Sequence, residues 1–171
     1  MQKVDSEIRL ADRIWVAVAL LHQKFPLRED FSKEDIRQEM RELGLMAGLN
    51  PGSVAAHLKE HMVANVPPST GKYRMLFESR PGRLRLYVPG DEIDPRRQLH
   101  RPSKQIPKRD ELPTEYHPLL DWYTRWCDRQ QERSPAKYED DPLIRLIGSG
   151  QHIWADEHAD EYVNRLREEQ A

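Results

Sequence analysis

Apolar residues recur at helical spacing three times in the first sixty positions, and then the period changes. Ile8, Ala11, Trp15, Val18 and Leu21 are three or four residues apart, with Asp12 and Arg13 on the far, polar side. That spacing predicts an amphipathic helix over residues 5–23, ended by Pro26. Ser32-Lys33-Glu34-Asp35 is close to a capping box, with Phe31 as the preceding staple. Ile36, Met40 and Leu43 form the stripe of a second helix, which Gly44 stops. Asn50-Pro51 opens a third, with a cap residue before a proline at the first helical position. Val54, Ala55, Leu58 and Met62 face inward in it, leaving Ser53, His57, Lys59 and His61 on the rest of the cylinder.

After Pro67-Pro68 the alternation is every second residue. Tyr73, Met75 and Phe77 alternate with Arg74, Leu76 and Glu78; Leu84, Leu86 and Val88 alternate with Arg85 and Tyr87. Period two on both sides of Arg80-Pro81-Gly82-Arg83 predicts an antiparallel hairpin with a type II turn, in which Gly82 supplies the positive φ. Three helices and a hairpin with a basic tip are the order of a winged helix. The segment from Ile8 to Asp91, with Leu76-Phe77-Glu78 and Arg80 to Tyr87 behind the helices, resembles winged-helix domains of poorly characterised bacterial proteins. The resemblance implies an α+β fold over residues 5–91 and binding to double-stranded DNA. The third helix would enter the major groove and the hairpin tip would lie on the backbone or minor groove.

Charge sharpens that expectation. The chain has a net charge of −2, but residues 72–109 carry eleven basic and four acidic side chains, and residues 110–171 carry seven and fifteen. A basic middle suits a polyanion, and an acidic tail suits a basic partner or a return onto that middle. Candidate readers of base edges are Ser53, His57, Lys59 and His61; candidate phosphate contacts are Lys72, Arg74, Arg80, Arg83 and Arg85. The third helix is poor in Arg, Asn and Gln, so few side chains are suited to bidentate base contacts.

Residues 92–113 read as a basic, proline-rich linker, and residues 114–132 as an aromatic helix opened by Pro118. Its stripe of Leu119, Trp122, Tyr123 and Trp126 must be covered, either by the preceding domain or by a second copy; a homodimer is the expectation. Asp141 to Gly150, Ile153 to Glu157 and Asp160 to Arg167 resemble the C-terminal tails of bacterial type II antitoxins. The resemblance implies an acidic helical tail over residues 141–168 that captures a toxin-like partner protein. Leu143, Ile147, Ile153, Trp154, Tyr162 and Leu166 would be its anchors. Glu168-Glu169-Gln170-Ala171 departs from those tails, which often end on a further aromatic anchor.

Other functions find little support. The single cysteine, Cys127, excludes an intramolecular disulfide and a cysteine-rich zinc site. No His-Glu-x-x-His, phosphate loop or nucleophile elbow occurs. The acidic clusters Glu139-Asp140-Asp141 and Asp156-Glu157 suit the first turns of helices better than a metal. A non-enzymatic, cofactor-free, cytoplasmic protein without a membrane span is expected. It would be a DNA-binding regulator, with a protein–protein adaptor or an accessory nucleic-acid-processing module as alternatives.

Overall fold

The computed structural model describes residues 8–68, 73–98 and 104–132. The chain divides into two compact units, Met1–Asp128 and Arg129–Ala171; of the second, only the residues up to Glu132 are described. The first unit is mixed α+β. In chain order it comprises α1 (Leu10–Lys24), β1 (Phe31–Ser32), α2 (Lys33–Glu42) and α3 (Pro51–Ala56). It continues with β2 (Leu76–Arg80), β3 (Arg83–Leu86), α4 (Pro95–Gln98) and, as far as Asp128, α5 (His117–Glu132). A small antiparallel sheet in the order β1-β3-β2 joins the strands.

α1 is the central element. It is rich in Ala and Leu, good helix formers, and Pro26 follows the residue that caps it. Every residue from Ile14 to Ala19 is buried, so α1 is covered on all sides and is not a half-exposed amphipathic helix. Asp12, expected on its polar face, is fully buried; Lys104 Nζ lies 2.7 Å from its carboxylate.

The local signals around α2 took the form expected. Ser32 Oγ accepts from the Asp35 N–H, and the Asp35 carboxylate accepts from the Ser32 N–H, each at 3.0 Å. Gly44, at φ +68°, ends the helix as its left-handed cap. Its N–H donates to Arg41, and Leu45 N–H donates to Met40 at 2.8 Å.

The second strand keeps the expected phase, with Leu84, Leu86 and Val88 buried, whereas β2 departs from it at Leu76 and Phe77. Leu76, Leu84 and Leu86 point into the core, while Phe77 faces outward opposite Arg85, whose guanidinium lies 4.4 Å above its ring. Gly82 adopts φ +75°, as the turn requires. The outer edge of β2 is occupied. The Asn65 amide donates to the Glu78 carbonyl at 2.9 Å and accepts from the Glu78 N–H at 3.0 Å.

Two expectations about the rest of this unit are corrected. The described part of residues 92–113 is not an extended linker: Arg97 and Leu112 are buried, and Lys104 is ion-paired with Asp12 and Glu111. The aromatic stripe of α5 is used within its own chain. Leu119, Tyr123 and Trp126 are buried, and Trp122 is half-buried against the same core. Tyr123 meets Trp15 edge-on at 5.6 Å and donates to the Tyr87 carbonyl at 2.5 Å. α1 is buried from Ile14 to Ala19, and α5 covers part of it through Tyr123 against Trp15 and Trp126 against His22. The argument for a dimer from an uncovered stripe therefore falls away.

Candidate nucleic-acid interface

The third helix is built in two pieces. Asn50 caps α3 by accepting from the Gly52 N–H at 2.7 Å, and Pro51 occupies the first helical position. From His57 to His61 the helix widens into a π turn, with the Met62 N–H donating to the His57 carbonyl. Such turns often mark functional sites. Val54, Leu58 and Met62 anchor the helix in the core, while Ser53 and Lys59 are exposed. His57 Nδ1 donates to the Ser53 carbonyl at 2.8 Å, and its ring lies 4.9 Å from that of His61. Burial holds the His57 pKa below its ordinary value, and the proximity of His61 acts in the same direction.

Arg97 fixes the end of this helix. Its guanidinium, nearly inaccessible to solvent, donates to the backbone carbonyls of Glu60, Val66 and Tyr73. One side chain thus ties the π turn to the loop after it and to the approach of β2. Burial lowers its pKa from the ordinary guanidinium value, with the Asp94 and Glu60 carboxylates opposing.

The arginines expected to face phosphate are not all free to do so. Arg85 is paired with Asp91 at 2.6 Å and is mostly buried. Arg74 donates to the Arg97 carbonyl at 2.6 Å, with its Nε buried. Both are structural. Arg80 and Arg83 converge on Asp30, an aspartate the sequence did not single out. Arg83 Nε lies 2.5 Å from Oδ1, Arg80 reaches both carboxylate oxygens, and Ser79 Oγ donates to Oδ2 at 2.7 Å. Burial alone would raise the Asp30 pKa, but these hydrogen bonds outweigh it and bring it down to about 2. Asp30 is 2 % exposed, whereas the Arg80 side chain is 64 % exposed.

Ser53, His57, Lys59 and His61 thus stand on one helix, and Arg80 and Arg83 stand on the hairpin around Asp30. Lys72 and the tail anchors Leu143, Ile147, Ile153, Trp154, Tyr162 and Leu166 lie outside the described residues. Among the described residues no group of three or more His, Cys, Asp or Glu side chains could hold a metal, and no helix is long and apolar enough to cross a membrane. No family model, curated protein or solved structure matches the chain.

Proposed function

We propose that the first unit is a winged-helix module that binds duplex DNA through α3 and the β2–β3 hairpin. The observation that carries this reading is the presentation of the third helix, α3 together with the π turn His57–His61. Its apolar face is locked into the core and its end is tied down by Arg97, which leaves Ser53 and Lys59 exposed. The element order supports it: three helices, a strand after the first of them, and a hairpin that completes the sheet. Exposed Lys59 positions the helix on phosphate, and exposed Ser53 offers its hydroxyl to base edges.

The regulatory part of the reading assigns residues 141–168 to capture of a partner protein, and it rests on the sequence pattern alone. Trp154→Ala is expected to leave duplex affinity unchanged. Duplex binding is tested by fluorescence anisotropy across a range of salt concentrations. Lys59→Ala is expected to reduce the log–log salt slope by about one unit while leaving the melting temperature unchanged. An intact slope and affinity would remove α3 from the interface.

A further inference from the structure

Beside the hairpin lies a recess of about 270 Å³ lined by Leu27, Arg28, Glu29, Asp30, Arg80 and Arg83. We propose that this recess binds a phosphate group. The proposal is independent of the assignment of α3 and deepens that of the hairpin; where the phosphate is that of a DNA backbone it rests on the DNA-binding reading.

Three guanidinium groups from two parts of the chain meet here, each already held in place. Arg80 and Arg83 use Nε and Nη2 on Asp30, the latter including its backbone carbonyl. Arg28 uses Nη2 on Asp35 at 3.0 Å and lies 4.9 Å above the Phe31 ring. Among the described residues, Nη1 of Arg80, Nη1 of Arg83, and Nε and Nη1 of Arg28 have no acceptor. A guanidinium has five N–H donors in a fixed fork, so a carboxylate that engages one edge orients the remaining ones. The buried Asp30 carboxylate is saturated by its donors and stays ionised, so it works as the orienting group. Phosphate oxygens accept from several such donors at once.

The volume lies just below the roughly 300–1,000 Å³ typical of pockets for drug-sized ligands. It suits a phosphate group with little attached, or one phosphate of a chain running past the opening. Glu29, exposed on the rim, opposes an anion; it sets the affinity without supplying a contact. The two sources of the same chemistry are a free phosphate and a phosphodiester of a DNA backbone.

The test titrates the full chain with inorganic phosphate at constant ionic strength and follows the arginine Nε–H resonances by NMR. Saturable shifts of Arg28, Arg80 and Arg83 are expected, with chloride producing none. Arg28→Gln and Arg80→Gln should each weaken phosphate about tenfold, and Glu29→Gln should tighten it several-fold. Asp30→Asn distinguishes orientation from charge. It raises the local positive charge, yet it should weaken binding because the two hairpin arginines lose their anchor. Tighter or unchanged binding in folded Asp30→Asn, or linear shifts in the parent chain, would overturn the proposal. If Asp30→Asn does not fold, the exposed-position variants Arg28→Gln and Glu29→Gln decide it, and unaltered phosphate affinity in both refutes the site.

A short duplex separates the sources. If duplex shifts the same resonances and phosphate competes, the ligand is the backbone. If phosphate saturates the recess while duplex leaves those resonances still, the ligand is a free phosphate group. Phosphate binding without any duplex binding removes the DNA reading and keeps this site. Duplex binding through Lys59 without phosphate saturation does the reverse.

Discussion

Replacing His22 with phenylalanine is expected to make stability much less sensitive to mild acid. His22 sits near the end of α1 with its ring 4.9 Å from Phe31 and 4.8 Å from Trp126. Its Nε2 accepts a long hydrogen bond, 3.5 Å, from the Leu86 N–H. β1 is only two residues long and pairs β3 no further than Leu84, so the imidazole stands where a longer strand would have offered a carbonyl. Burial first, and then the Arg85 charge, lower the His22 pKa from 6.5 to about 4; Asp30 and a backbone hydrogen bond at Arg28 oppose them and lose. The folded chain keeps this ring neutral while the unfolded chain protonates it. The linked stability is therefore whole above about pH 6.5, declines as the pH falls, and is fully lost near pH 4. A displacement of this size corresponds to about 3 kcal/mol, at about 1.4 kcal/mol per unit. Urea unfolding at pH 7, 6, 5 and 4.5 measures it in both chains. The variant also loses an acceptor for Leu86, but that is a constant offset. The raised Asp12 pKa acts in both chains and cancels in the difference. A parent-minus-variant difference that stays flat between pH 7 and 4.5 would refute the reasoning.

The remaining predictions concern the ion pairs, the α5 stripe and the hairpin. Lys104→Met leaves the Asp12 carboxylate buried without its partner and is expected to cost about 3–5 kcal/mol by denaturant unfolding. In the parent, protonation of Asp30 removes stability only as the pH falls from 3.8 toward 2, a second acid step below that of His22, visible by circular dichroism. Trp126→Ala is expected to lose about 3–5 kcal/mol of stability, with sedimentation of the folded protein unchanged. Gly82→Ala meets open space but a positive φ, and should lower stability by about 1–2 kcal/mol in the same unfolding assay.

How much of this was legible depended on the range of the interaction. The capping box at Ser32, the Gly44 stop and the Asn50-Pro51 start are contained in four or five consecutive residues, and all three were readable. The phase of β2 was not, because Met75, Leu76 and Phe77 are all apolar. Cross-strand pairing with Leu84 and Leu86 chose Leu76 for the inside. Asp12 read as a solvated residue because its partner, Lys104, is 92 positions away. The site was half legible. Arg80 and Arg83 stood out beside the turn, but Asp30, fifty residues upstream, carried no pattern that linked it to them. Arg28 carries no such pattern either, since it lies in a loop of mixed charge. The stripe of α5 was recognised, but its destination was not, since a stripe has no address. The fully apolar circumference of α1 was the available sign, and periodicity alone could not tell it from a half-exposed helix.

The Asn65 amide on Glu78 has a consequence for the fate of the chain outside its own fold. β2 is a margin of the sheet, and a margin normally offers its N–H and C=O groups to any extended segment that drifts by. Here a primary amide, which carries a donor and an acceptor side by side, fills that vacancy as a one-residue substitute for a neighbouring strand. An aspartate in its place could accept from Glu78 but not donate to it, and the margin would reopen at its centre. Deamidation at this single position would thus unpair the Glu78 carbonyl and set a carboxylate against it, so that charge alone, and no longer pairing, would keep other strands from this margin.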